Sequence, residues 1–202
     1  NYMDTEEQAG DKGYALAESL GIPIVILEPI KGGSLANFSD DINAKFREMD
    51  PDKSIASYAL RWVGSHSNVK VILSGMSTMQ QVEDNLKTFI GFSPLSDEEE
   101  NKIKAIVEEL RSRVQNGCTG CRYCMPCPAG VNIPGNFQVW NRYHMYRTYD
   151  HVKGAWEKEL KDEENAKNCI KCGKCEALCP QKLSIRDNLV QVQKDLDERI
   201  FA

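Results

Sequence analysis

The sequence predicts a parallel α/β segment followed by an all-helical, cysteine-rich one. Three observations lead there. Two short runs rich in β-branched residues, "IPIVIL" at 22–27 and "VKVILSG" at 69–75, each lead into a loop bearing glycine or serine. Helical periodicity separates and follows them. All eight cysteines of the 202-residue chain lie beyond residue 116.

Residues 11–20 read as a helix, with Tyr14, Leu16, Ala17 and Leu20 as its apolar stripe and Gly21 as its end. The run 22–27 then reads as a strand buried on both faces, as parallel sheets require, and "EPIKGGSLA" (28–36) as the loop after it. "SIASYALRWVG" (54–64) is the next helix, with Ser54 as N-cap and Ile55, Tyr58, Ala59 and Trp62 along one side. The second buried strand, 69–75, opens into a helix over 77–91. Helix, strand and loop repeated in that order is the grammar of a parallel α/β fold. A further helix, 96–114, is capped by Ser96, with acidic residues crowding the first turn, where the helix dipole favours them. The regime changes near 113–116, which divides the chain into domains 1–115 and 116–202. In the second, "NFQVWNRYHMYRTYD" (136–150) places Phe137, Trp140, Tyr143 or His144, and Tyr146 at helical spacing. That pattern reads as a buried aromatic face rather than a stacking platform for a ligand. His66, His144 and His151 carry no signal of a ligand or base.

Hydrophobic content of 41%, charged content of 27% and a net charge of −5 suit a globular chain and exclude partners that select for excess cations, nucleic acid and anionic membrane among them. No stretch approaches the ~20 apolar residues of a membrane span. The N-terminal "NYMDTEEQAG" has neither a basic start nor an apolar segment, so the expectation is a cytoplasmic protein without an export signal. An opening Asn rather than Met suggests processing.

"NGCTGCRYCMPCPAG" (116–130) holds Cys118, Cys121, Cys124 and Cys127, and "NCIKCGKCEALCPQ" (168–181) holds Cys169, Cys172, Cys175 and Cys179. Disulfides fit poorly in a reducing compartment, and neighbours three apart are awkward to bridge. Zinc takes C-x2-C pairs, but commonly two separated ones. A C-x2-C-x2-C triplet with a fourth Cys before Pro suits the corners of an iron–sulfur cube, and the second run matches the bacterial C-x2-C-x2-C-x3-C-P pattern throughout. The first run has two residues, not three, before its last Cys. In two-cluster ferredoxins the fourth Cys of each run serves the other cluster. Two [4Fe–4S] clusters are therefore expected, one on Cys118, Cys121, Cys124 and Cys179, the other on Cys169, Cys172, Cys175 and Cys127.

The helical spacer makes residues 116–190 resemble the α-helical ferredoxin domain of iron–sulfur proteins of the fumarate reductase and heterodisulfide reductase type. "GIPIVILEPIKGGSLA" (21–36) and "SIASYALRWVGSHSNVKVILSGMSTMQQVEDNL" (54–86), in that order, resemble the C-terminal part of an aldo-keto reductase. Some bacterial reductases of that family carry a cysteine-rich ferredoxin tail. The resemblance implies the last two strands of a (β/α)8 TIM barrel, with "NYMD" as the loop after the sixth strand. Such a barrel needs ~250 residues to close, so the expectation is an incomplete, C-terminal portion of one. The family's catalytic Asp, Tyr, Lys and His fall on early strands. No catalytic residue is assignable here, and Tyr2, Tyr14 and Tyr58 are not substitutes.

What the resemblance does imply is NAD(P) binding. Pro29, Lys31, Gly32, Gly33 and Ser34 form the loop over the cofactor pyrophosphate, the glycines admitting backbone N–H groups and Lys31 adding charge. Gly75 and Ser77 lead into a helix whose N-terminus suits an anion, and Gln81 and Asn85, four apart, match positions that bond adenine. Taken alone, the loop reads as a turn and the two amides as solvated polar residues. Gly75 and Gln81 stand where NADPH-preferring members place Lys or Arg, which leaves NADH open. The expected function is an iron–sulfur oxidoreductase acting on a small carbonyl or alcohol, inactive as this piece alone. The clusters serve electron transfer from a redox partner protein or brace the helices. The rival is a ferredoxin module on a structural scaffold.

Overall fold

The computed structural model describes residues 1–147, 154 and 156–200. His151 and the expected helix end at 148–150 lie outside the described residues. The chain divides into two compact units, Asn1–Glu109 and Leu110–Ala202.

The first unit runs α1 (Gly10–Ser19), β1 (Ile24–Ile26), a 3-10 turn (Lys31–Gly33), α2 (Asp40–Met49), α3 (Ile55–Gly64), β2 (Val69–Ile72), α4 (Met79–Ile90) and α5 (Asp97–Ser112), the last crossing into the second unit. β1 and β2 pair in parallel, with Ile24 opposite Val69 and Ile26 opposite Ile72. A Leu73 N–H to Ile26 C=O bond of 2.9 Å continues the ladder. The caps expected at Ser54 and Ser96 form, and Thr78 adds one not among those expected. Ser54 Oγ accepts the Ser57 N–H at 3.0 Å. Thr78 and Gln81 make a reciprocal capping box. Ser96 and Glu99 exchange bonds of 3.2 and 2.9 Å.

Two expectations need correction. The strands are shorter than the runs 22–27 and 69–75, and they are not buried on both faces: Val25 is 50% exposed, Leu27 69% and Val71 46%. Val25 and Val71 are register partners, and alternate side chains leave opposite faces of a sheet. One face of this two-stranded sheet therefore stands open. The core of the unit lies instead between helices, and α2, for which the sequence carries little signal, supplies much of it. Leu35, Ile42, Phe46 and Tyr58 are fully buried. The Phe46 ring stacks 5.7 Å from Phe38 and lies 5.3 Å from Tyr58, whose phenol burial pushes up to about 12. Behind them, the buried Arg61 guanidinium forks onto Glu99 at 2.6 and 2.9 Å and donates to the Ser93 and Pro94 carbonyls, joining α3 to α5.

The second unit contains α6 (Ile133–Tyr146), a helical stretch at 156–159, α7 (Lys174–Ala177), α8 (Ile185–Asp195) and a π turn, Leu196–Ile200. Asn132 caps α6 through the Gly135 N–H, and Pro134 sits in its first turn, where a missing N–H does no harm. Phe137, Trp140, Tyr143 and Tyr146 are buried, as the aromatic spacing implies. Phe137, Trp140 and Tyr143 pack with Val131, Ile133, Trp156, Ile185, Leu189 and Val192. Asp195 is buried among them and accepts from Trp140 Nε1 at 2.7 Å and Gln191 Nε2 at 3.1 Å, with His144 Nε2 at 2.8 Å. Those three partners hold its carboxyl below the usual range against the opposing effect of burial.

Candidate metal centre

The two cysteine runs repeat one backbone turn. In the first, Gly120 (φ 68°) and Arg122 (φ 64°) flank Cys121 in left-handed conformation; in the second, Lys171 (φ 56°) and Gly173 (φ 78°) flank Cys172 in the same way. A left-handed residue on either side of the middle cysteine curls each run tightly. The Lys171 N–H donates to Cys169 Sγ at 3.4 Å within the second turn.

Each triplet meets the fourth cysteine of the other run. Cys118, Cys121, Cys124 and Cys179 line one cavity, walled by Ile133, Phe137, Leu183 and Ile185. Gln181 Oε1 lies 4.0 Å from Cys121 Sγ and 3.8 Å from Cys179 Sγ, which brings sulfurs nearly sixty residues apart to one point. Cys169, Cys172, Cys175 and Cys127 line a second cavity, walled by Ile133, Leu178 and Leu189. Cys124 and Ile133 border both, so the cavities adjoin. All eight thiols are free of disulfides; Cys121 and Cys172 are exposed, and the other six are half-buried against the aromatic core. Burial pushes the Cys124 and Cys175 thiols up, and neighbouring sulfurs add to it. Among the described residues no three His, Cys, Asp or Glu close on a single ion-sized point. A four-iron cube instead takes each thiolate at a different corner.

Two asparagines of α6 hold the approaches to both runs, and periodicity does not single them out. Asn136, fully buried, donates to the Glu164 C=O and accepts the Ala166 N–H, both at 2.8 Å, just before Cys169. Asn141 Oδ1 accepts the Gln115 and Asn116 N–H groups and its amide donates to the Asn116 C=O, just before Cys118. Asn116 Oδ1 in turn takes the Cys118 N–H at 3.1 Å. The one signal for them in the sequence is polarity inside an otherwise aromatic helix, where a buried amide must find partners.

In the first unit the parallel pairing sets the loops 28–34 and 73–78 at the same, carboxyl, edge of the sheet. Pro29 is buried; Lys31 grips both Asp4 oxygens at 2.6 Å; Gly32 is open, with no atom within 4 Å of where a Cβ would sit. Gly33 and Ser34 complete the 3-10 turn. Gln81 Oε1 takes the Ser77 N–H at 2.7 Å, and Asn85 Nδ2 donates to Ser74 Oγ at 3.1 Å, so both amides fold back onto the loop that carries Gly75. A cavity of about 470 Å³, lined by Asp4, Tyr14, Val25, Glu28, Trp62 and His66 among others, includes none of Pro29, Lys31, Gly32, Gly33, Ser34, Gly75, Ser77, Gln81 and Asn85. His66 is packed rather than free, Nδ1 lying 2.8 Å from the Trp62 C=O and the ring edge-on to Tyr14. Among the described residues no helix is long and apolar enough to cross a membrane.

Two family models match different parts of the chain. Residues 2–108 match the model of the aldo/keto reductase family, and residues 117–183 match that of a 4Fe-4S dicluster domain. The chain is 24% identical over 106 residues to a heterodisulfide reductase C-like protein of Archaeoglobus profundus, covering 52% of this chain and 55% of that protein. It thus spans about half the length of the curated relative it matches. No solved structure matches it.

Proposed function

This chain belongs to the aldo/keto reductase family, and on that premise we propose that it is part of a cytoplasmic iron–sulfur oxidoreductase that couples nicotinamide-dependent carbonyl or alcohol chemistry to two [4Fe–4S] centres. Cys118, Cys121, Cys124 and Cys179 hold one centre, and Cys169, Cys172, Cys175 and Cys127 hold the other. The observation that carries this reading is the arrangement of eight thiols around two adjoining cavities, each lined by one triplet and the other run's last cysteine, with Cys124 bordering both. The donor set suits the group: eight free thiols, six of them half-buried against apolar side chains and Cys121 and Cys172 exposed. Such centres accept and release single electrons, and their ligation adds folding energy to a small helical unit.

The α/β unit supplies the nucleotide side. Parallel α/β folds bind ligands at the carboxyl edge of their strands, which is where Pro29, Lys31, Gly32, Gly33, Ser34, Gly75, Ser77, Gln81 and Asn85 gather. Its two strands are part of a (β/α)8 barrel whose further strands cover the open sheet face, and the groups that reduce the carbonyl stand on those strands. With Gly75 and Gln81 in place of cations, NADH is the nucleotide this edge favours. Anaerobic titration of the whole reductase tests the reading: NADH should bleach the visible iron–sulfur absorbance, and an oxidant should restore it. Centres that hold iron yet reduce at no accessible potential would make the second unit a structural brace.

A further inference from the structure

The cysteine runs are the basic part of an acidic chain. Within 116–130 and 168–182 the charged side chains are Arg122, Lys171, Lys174 and Lys182 against Glu176 alone, while the whole chain carries −5. All four cations are exposed, and Glu176 is taken up by Arg186 at 2.8 Å. Arg122 borders the first cavity, Lys171 and Lys174 the second.

Their backbone adds an independent argument. Arg122, Lys171 and Lys182 all have positive φ, at 64°, 56° and 52°, a conformation that is unfavourable for a residue with a Cβ. The chain itself shows that glycine serves the turn. Gly120 holds in the first run the place Lys171 holds in the second, and Gly173 the place of Arg122. Folding alone therefore does not ask for these cations, and strain kept in this way marks a working surface. Between them stand exposed apolar side chains, Tyr123 at 65%, Ile170 at 66% and Leu178 at 59%, and the exposed Cys121 and Cys172.

We propose that the surface around the two adjoining cavities docks an acidic one-electron carrier protein, with Tyr123, Ile170 and Leu178 as its apolar centre and Arg122, Lys171, Lys174 and Lys182 as its steering rim. The inference rests on the redox reading of the cysteines given above. Transfer moves one electron and no atoms: the carrier is oxidised by one equivalent, the cysteine-bound centre is reduced by one, and no bond forms or breaks. Small, apolar-centred contacts ringed by complementary charge suit such brief encounters, because charge raises the rate of meeting without slowing release. Cys121 and Cys172 mark where the electron crosses, since they bring the centres nearest the partner.

The test mixes the full chain, loaded anaerobically, with reduced acidic flavodoxin in a stopped-flow instrument and follows the iron–sulfur absorbance. The second-order rate should fall at least about tenfold as salt rises from about 0.01 M to about 0.5 M. It should fall by a similar factor at low salt in Lys171→Glu/Lys174→Glu/Lys182→Glu, with the corresponding triple Gln chain in between. Flavodoxin with its carboxylates amidated should react slowly with the unaltered chain. Iron content and bleaching by dithionite should match across all three chains, which shows that the variants fold. A loaded, dithionite-reducible chain whose flavodoxin rate ignores both salt and substitution overturns the docking surface and leaves the centres standing. A chain without iron overturns both.

Discussion

Replacing Arg61 with Met removes a well-buried ion pair of the α/β unit. The Arg61 side chain is 6% exposed and that of Glu99 18%, so water screens the pair little. The bidentate Arg61 fork is the main reason the Glu99 carboxyl falls from 4.5 to about 2, with burial opposing it. At roughly 1.36 kcal/mol per pH unit, that displacement corresponds to about 3 kcal/mol of stability. The folded value lies below the unfolded one, so this stability is complete above pH 4.5 and is lost as pH falls towards about 2. Arg61→Met should therefore destabilise the unit by about 3 kcal/mol at pH 7, and more if Glu99 cannot reach water. Because two units unfold in one chain, bulk melting confuses them. Urea-dependent hydrogen exchange of peptides covering 54–64 reads this unit alone. A double-mutant cycle with Glu99→Gln should give a coupling of about 3 kcal/mol at pH 7 that shrinks at pH 3. A coupling near zero at pH 7, or one that does not change with acid, would refute the argument.

Exchange of the fourth cysteines makes Cys127→Ser act at a distance: it should weaken or convert the centre of Cys169, Cys172 and Cys175 and spare the one nearest in sequence. EPR of the reduced variant, compared with Cys179→Ser, should show complementary losses. Asn136→Leu keeps the size of the side chain but strands the Ala166 N–H and leaves the Glu164 C=O with the Asn132 N–H alone, which should cost about 2 kcal/mol and loosen the second run before Cys169. Its measure is faster release of iron to a chelator, with the altered centre identified by EPR.

Much of the local structure is legible in the sequence because its causes are local. Ser54, Thr78 and Ser96 begin their helices by bonds that reach three residues ahead, and the spacing of the cysteines depends on one turn of chain. The failures concern long-range effects. The run 22–27 has the composition of a strand buried on both faces, yet composition cannot say whether further strands lie against Val25 and Leu27. The helix Asp40–Met49 leaves only a weak trace: Ser39 before it, two aspartates in its first turn, and Ile42 and Phe46 four apart. Asn136, Asn141 and Asp195 each take partners from segments 25 to 55 residues away, and no window on the sequence spans that distance. Lys31 reads as free charge for a phosphate, whereas Asp4, 27 residues earlier, takes both its contacts.

The most direct test of the central claim is a metal and sulfide count on chain prepared without oxygen. Two cubane centres on the eight cysteines predict about eight irons and about eight acid-labile sulfides per chain, in a brown sample that dithionite bleaches. A colourless sample carrying zinc, or one with neither iron nor labile sulfide, would contradict it.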